Sequence, residues 1–393
     1  MRPTLPALAL IAIGFANGAE SVPTLDGRPP LVIAHRGACG ALPEETVEAY
    51  QRAAEMGADV LEEDLQLTKD GVLIARHDPN LAPSTNVASI ARFADRKKSL
   101  SVDGEIQEGW FVFDFTLEEI RSLGGISTAP ERPHQFDGKF RIATFQEIID
   151  IAKAKSTSSH RIAVYPETKN PTFQREHGRS LEDSLLAVLE RNGWNRPDAP
   201  VFVQSFEPGS LRSLRAKGLK TKVVQLIDAK DADLRTGKLV YAVPNDRPFD
   251  WTRAGDTLRT YAWMTTPEGL AWIRTYADGI GPWKRYIVSL KGDLDTAGKV
   301  VDQNHDGKID DRDGHCLAPT RLISDAHKAG LFVHPYTFRN EKRRLCAEYA
   351  GDPAAEYLQF YRLGVDGLFS DFADTALAAR GRFLSEKRPA GSR

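Results

Sequence analysis

A parallel (β/α)8 barrel is the fold this sequence predicts, on three observations. Eight short β-rich runs recur along the 393 residues, most of them followed by helical periodicity. Polar residues close many of these runs, as they do on the catalytic face of such barrels. No Gly-rich nucleotide fingerprint supports the alternative, an open doubly wound sheet.

The expected strands are 31–34, 60–67, 161–167, 201–205, 222–227, 278–281, 331–335 and 367–370. A helix over 45–56 follows the first, with Val47, Tyr50 and Ala54 on one face. Further helices are expected at 181–191, 211–217, 269–276, 320–328 and 353–363. The polar strand ends are His35, Glu62 with Asp64, Glu167, Gln204, Gln225 and Asp371. Glu62 and Asp64 are two apart on a strand, so both side chains point the same way. Two stretches exceed what a βα connection needs. The first, about 79–140, carries Trp110, Phe111 and Phe113 and reads as an insertion capping the catalytic face. The second covers about 285–319. From about Glu386 the chain reads as a frayed polar tail.

Composition sets broad limits. A hydrophobic fraction of 41% and a charged fraction of 27% are those of a globular protein. A net charge of -2 gives no basis for expecting nucleic-acid binding. Arg2, an apolar run over 5–16 and the small residues Ala16-Asn17-Gly18-Ala19 read as a secretory leader over 1–19. Residues 20–393 would then be the exported barrel domain, periplasmic or secreted. No later apolar run is long enough to cross a bilayer, so stable membrane insertion is not expected. Cys316 and Cys346 flank the strand near Leu331 and can form one disulfide, consistent with export. That leaves Cys39, best read as a small residue in a tight Gly-rich loop.

The chemistry concentrates between Ala34 and Asp78. His35 and His77 bracket Glu62 and Asp64, and Arg36 stands beside the first histidine. Histidine suits acid–base work because its ordinary pKa lies near working pH. Glu62, Asp64 and Glu167 form a candidate site for one divalent cation. Oxygen-only donors favour calcium or magnesium, and export tilts the choice to calcium. Arg36 can hold a phosphate oxygen bidentately, and Lys169, two beyond Glu167, adds a second positive charge. Gln204 and Tyr336 are further candidate substrate-binding residues. His334 ends a predicted strand and is expected to line the pocket.

A separate signal lies in the second insertion. Asp302, Asn304, Asp306, Asp310 and Asp313 occupy positions 1, 3, 5, 9 and 12 of a calcium-loop pattern. Gly307 stands at position 6, Lys308 at the carbonyl-donating position 7 and Ile309 at position 8. A second, structural calcium is expected there. The stretch before it is not convincingly helical, as an EF-hand would require.

These residues fall into ordered motifs. His35-Arg36-Gly37, Pro43-Glu44-Glu45-Thr46, Glu62-Glu63-Asp64, Thr68-Lys69-Asp70-Gly71 and His77-Asp78 come first. Tyr165-Pro166-Glu167-Thr168-Lys169, Val203 to Glu207, Val333 to Thr337 and Gly364 to Asp371 follow. Together they resemble the glycerophosphodiester phosphodiesterase family, and most closely its exported bacterial branch, over most of the chain. The resemblance implies a (β/α)8 barrel that splits glycerophosphodiesters into sn-glycerol 3-phosphate and an alcohol. It implies His35 and His77 as acid and base, and Glu62, Asp64 and Glu167 as ligands of one divalent ion. Arg36 and Lys169 would hold the phosphate. Glu45 stands where the family often has Asn, and Cys39 where it often has Ser; neither is needed for the proton or metal roles. The calcium-type loop is not a general family feature. Two rivals remain at the level of sequence. One is a barrel phospholipase acting on membrane lipid. The other is a non-catalytic exported protein that uses the Asp302 loop for calcium-dependent association.

Overall fold

The computed structural model describes residues 22–243 and 246–387. The expected leader, 1–19, lies outside the described residues. Eight parallel strands form the barrel: β1 (Leu31–Ala34), β2 (Val60–Leu67), β3 (Ala163–Thr168), β4 (Phe202–Ser205), β5 (Lys222–Ile227), β6 (Gly279–Pro282), β7 (Phe332–Val333) and β8 (Gly367–Ser370). They pair in the order β7-β6-β5-β4-β3-β2-β1-β8. The last seam closes through backbone bonds from Phe369 N to Pro335 O at 3.0 Å and from Phe338 N to Phe369 O at 2.8 Å.

One outer helix follows each strand: α1 (Val47–Met56), α2 (Phe145–Lys155), α3 (Leu181–Arg191), α4 (Pro208–Ala216), α5 (Pro267–Arg274), α6 (Leu322–Lys328), α7 (Pro353–Leu363) and α8 (Ala373–Glu386). Local chemistry explains their ends. Thr46 caps α1 by accepting from Ala49 N at 3.2 Å, and Gly57, at φ 92°, ends it in the left-handed region. Proline opens α4, α5 and α7, where its missing N–H costs nothing. Two of the eight helices, α2 and α8, were not among the expected ones. A capping box of Thr144 and Glu147 starts α2, and Phe145, Ile148, Ile149 and Ala152 make its buried stripe.

Strand alternation splits the core in two. Ile33, Val60, Tyr165, Val224 and Phe369 point inward and fill the barrel. Leu61, Leu65, Val164 and Leu368 point outward against the helices.

The first insertion has its own small core, with Leu81, Phe93, Trp110, Phe115 and Leu123 buried together. It also carries an antiparallel hairpin, Lys98–Val102 against Glu105–Gly109. The hairpin turns at Asp103-Gly104, with φ 48° and 89°, the pair of left-handed residues a tight two-residue hairpin requires. The second insertion is a hairpin too, Leu290–Gly292 against Gly314–Cys316, so strands rather than helices flank the calcium-type loop. Cys316 and Cys346 are bonded and tie this hairpin to the segment preceding α7.

Candidate active site

A cavity of about 440 Å³ opens at the C-terminal ends of the strands. The nine residues expected to form the active site line it: His35, Arg36, Glu62, Asp64, His77, Glu167, Lys169, Gln204 and Tyr336. The tip of the first insertion's hairpin, Val102 to Glu105, forms part of the wall.

Glu62 and Asp64 leave β2 inward, and Glu167 does so from the neighbouring β3, in register with Asp64. One oxygen from each of the three lies within 4.8 Å of the others, and all three side chains are buried. Burial and the neighbouring Asp64 push Glu62 well above the usual carboxylate range. Burial likewise pushes Glu167 up, to about 8. Burial opposes ionisation of Asp64 too, but Lys169 and Arg36 outweigh it and hold this carboxyl well below its ordinary value. Lys169 Nζ stands 3.2 Å from Glu167 and 3.7 Å from Asp64. Three buried carboxyl groups crowd together, two of them resisting ionisation without a further positive charge, and the donors are all hard oxygens. That set fits a calcium- or magnesium-like ion.

Arg36 braces this group. Its backbone is left-handed, φ 55°, which turns its amide onto Glu62 Oε2 at 2.9 Å. Its Nε lies 3.0 Å from Asp64 Oδ2, and Nη1 donates to Glu44 at 3.3 Å. Glu45 accepts the Asp64 amide at 2.9 Å and so supports the carboxylate strand. Gln204 donates its amide to Glu62 Oε1 at 2.9 Å, so this side chain orients a carboxylate as well as lining the cavity. Tyr336 donates its hydroxyl to Asp228 Oδ1 at 2.9 Å.

The two histidines differ. His35 Nδ1 lies 2.6 Å from Asp371 Oδ1 and is buried. Burial first, and then Arg36, lower its pKa despite the carboxylate partner. Asp371 is itself held ionised: burial opposes this, but Arg339, His35 and Arg132 outweigh it. His77 is more open and pairs through Nδ1 with Asp78 Oδ1 at 3.0 Å.

Three placements refine the sequence reading. His334 does not reach the cavity lining; its ring packs inside the barrel among Phe332, Phe202 and Tyr165, with the Tyr165 hydroxyl 3.1 Å from Nδ1. Cys39 is buried beneath His35, and burial pushes its thiol up, away from nucleophilic use. Asp371, visible in the sequence only as a polar strand end, is the partner that orients His35.

The calcium-type loop is compact. Gly307 N donates to Asp302 Oδ2 at 2.8 Å, Asp306 N to Asn304 Oδ1 at 3.0 Å, and Lys308 N to Asp306 Oδ1 at 3.0 Å. Asp313 accepts from Gln303 N at 2.8 Å. The guanidinium of Arg312 reaches Asp310 at 2.6 Å and also pairs with Asp306.

The glycerophosphoryl diester phosphodiesterase family model matches residues 35–375. The chain is 37% identical to glycerophosphodiester phosphodiesterase GDPD6 of Arabidopsis thaliana over 370 residues, spanning 91% of this chain and 87% of that one. It is 29% identical to the glycerophosphodiester phosphodiesterase of Haemophilus influenzae over 394 residues, spanning 94% and 96%. Among solved structures, it is similar to an Oleispira antarctica phosphodiesterase in complex with the product sn-glycerol-3-phosphate. There the TM-score is 0.53 at 18% identity, covering 91% of this chain and 98% of that one, a likeness of fold. With the motifs of the first strands gathered into one cavity and the match running across the barrel, the chain belongs to the glycerophosphoryl diester phosphodiesterase family.

Proposed function

We propose that the protein hydrolyses glycerophosphodiesters to sn-glycerol 3-phosphate and an alcohol, using His35 and His77 as proton carriers beside a divalent-cation site. The observation that carries this reading is the convergence of both histidines and the buried Glu62, Asp64 and Glu167 on one cavity. Glu62, Asp64 and Glu167 would hold the cation, calcium rather than magnesium outside the cell. Bound there, it supplies Lewis acidity to a phosphate oxygen.

The chain's own residues do the rest. The ionised Asp371 accepts from His35 Nδ1, which leaves Nε2 free to take a proton. A lowered pKa keeps His35 neutral at working pH, so it acts as the base. Asp371 then stabilises the imidazolium that forms. His77, the more exposed of the two, protonates the leaving alcohol. Lys169 and Arg36 stabilise the charge that builds on phosphorus. The nucleophile is water, or the substrate's own 2-hydroxyl, in which case the alcohol leaves behind a cyclic phosphate that water opens to sn-glycerol 3-phosphate in a second step.

The Asp302 loop supports a second proposal, a structural calcium held by Asp302, Asn304, Asp306, Lys308, Asp310 and Asp313. Its internal amide bonds to Asp302, Asn304 and Asp313 support this reading, because they already hold these side chains to one compact loop. Binding there would displace Arg312 from Asp306 and Asp310, and calcium should raise the melting temperature of the wild type by more than that of Asp302→Ala, which keeps only the Glu62, Asp64 and Glu167 site. We also propose export, with 1–19 as the leader and 20–393 as the barrel domain. The Cys316–Cys346 bond supports it, since such bonds persist in oxidising compartments. Among the described residues no helix is long and apolar enough to cross a membrane.

The activity is tested by release of sn-glycerol 3-phosphate from glycerophosphoethanolamine by wild type and His35→Ala. Release by wild type that is lost in the variant supports the assignment. No release by folded wild type from any glycerophosphodiester overturns it, and binding to lipid vesicles in that case favours the phospholipase alternative.

A further inference from the structure

Beyond the metal end, the same cavity has a second end of different chemistry. Phe206, Tyr261 and Tyr336 wall it. Phe206 meets Tyr261 at 6.3 Å between centroids and 81° between planes, and Tyr336 at 6.0 Å and 89°. The rings therefore stand roughly at right angles, as the sides of a box. Asp228 and Asp103 also line this end, Asp103 from the hairpin tip of the first insertion and Asp228 from the end of β5.

No salt bridge holds the carboxylates there, and Lys169 acts on both only from beyond contact distance. Lys169 is paired with Glu167 and Asp64, Arg36 with Asp64 and Glu44, Arg339 with Asp371, and Arg247 with Asp246. Asp103 and Asp228 have no salt-bridge partner among the described residues. Asp228 accepts only neutral donors in Tyr336, at 2.9 Å, and a backbone amide. Asp103 accepts from the Asn170 amide at 2.6 Å, and its Oδ1 is buried with no hydrogen bond. Half-buried carboxylates hydrogen-bonded only to neutral donors, beside aromatic rings lining the same cavity, are an arrangement that binds ammonium groups, through charge and through cation–π attraction.

We propose that this end is a cation subsite for an ammonium group on the leaving alcohol, as in choline or ethanolamine diesters. The inference rests on the proposed diesterase activity and names its preferred substrate class. Position supports it: Lys169 Nζ lies 5.2 Å from the Phe206 ring, so the aromatic box begins where the phosphate clamp ends. A two-carbon tether between phosphate and ammonium suits such neighbours.

The test compares kcat/KM for glycerophosphocholine and glycerophosphoglycerol, whose leaving alcohol is neutral, in wild type, Tyr261→Leu and Asp103→Asn. Choline alone is also titrated into each protein by calorimetry. The wild type should favour the choline diester by about tenfold. Both variants, shown folded by circular dichroism, should bring that ratio toward one and weaken choline binding. A wild-type ratio near one, or a ratio unchanged in both variants, overturns the subsite. If the wild type hydrolyses neither diester but binds choline and the variants do not, the subsite stands and the proposed activity falls.

Discussion

The Nδ1 of His35 lies 2.6 Å from Oδ1 of Asp371, across 336 residues of sequence, and the other oxygen of that carboxylate is held by Arg132 and by Arg339 at 3.0 Å. Arg132 belongs to the first insertion, so the insertion helps fix the histidine proposed as the base. If His35 is the base, replacing Asp371 with Asn removes the charge that would stabilise its imidazolium and disturbs the tautomer. The variant should fold and lose about 10²–10⁴-fold in kcat, with the larger change in kcat rather than KM. Steady-state kinetics beside a thermal melt checks this.

The two histidines should separate by leaving group. His77→Ala should lose about 10²–10⁴-fold with an alkyl diester and recover most of it with a p-nitrophenyl diester, which departs without protonation. His35→Ala should stay impaired with both. Recovery by His35→Ala and not by His77→Ala would exchange the two roles.

His334 predicts a pH-dependent stability. Burial lowers its pKa from 6.5 to about 4. Between those values the unfolded chain binds the extra proton and the folded barrel does not, so the contribution is present above the upper value. It is lost as pH falls toward the lower one, about 3 kcal/mol in all. Urea midpoints from pH 7 to 4 should fall more steeply for wild type than for His334→Gln.

Lys284 and Glu356 form a buried pair, with Nζ 2.7 and 2.8 Å from the two carboxylate oxygens, linking the segment after β6 to α7. Glu356→Ala strands the ammonium and should cost about 3–5 kcal/mol, whereas the double change Lys284→Met with Glu356→Leu should cost far less. Denaturant unfolding of both variants measures the difference.

Much of the architecture was legible because barrel strands are short apolar runs with polar ends, and these eight are regular. The site was legible where chemistry is local: His35 with Arg36, the Glu62 and Asp64 pair on one strand face, Glu167 with Lys169. What escaped depends on contacts far apart in sequence. Nothing near Gln204 says that its amide serves Glu62, 142 residues earlier. His334 ends its strand as the site residues end theirs, yet it sits below the mouth among aromatic rings, because strand stagger sets depth and sequence does not print stagger. The helix α2 escaped although its capping box is explicit, because the long insertion before it obscured where the barrel resumes.

Glu62, Asp64 and Glu167 are proposed to hold a cation that the reaction requires. The most direct measurement is sn-glycerol 3-phosphate release after exhaustive chelation, then with calcium or magnesium restored, for wild type and Glu167→Gln. The expected result is loss on chelation, recovery of the wild type with added metal, and no recovery of the variant at the same metal concentration. Full activity in the chelated wild type would contradict it.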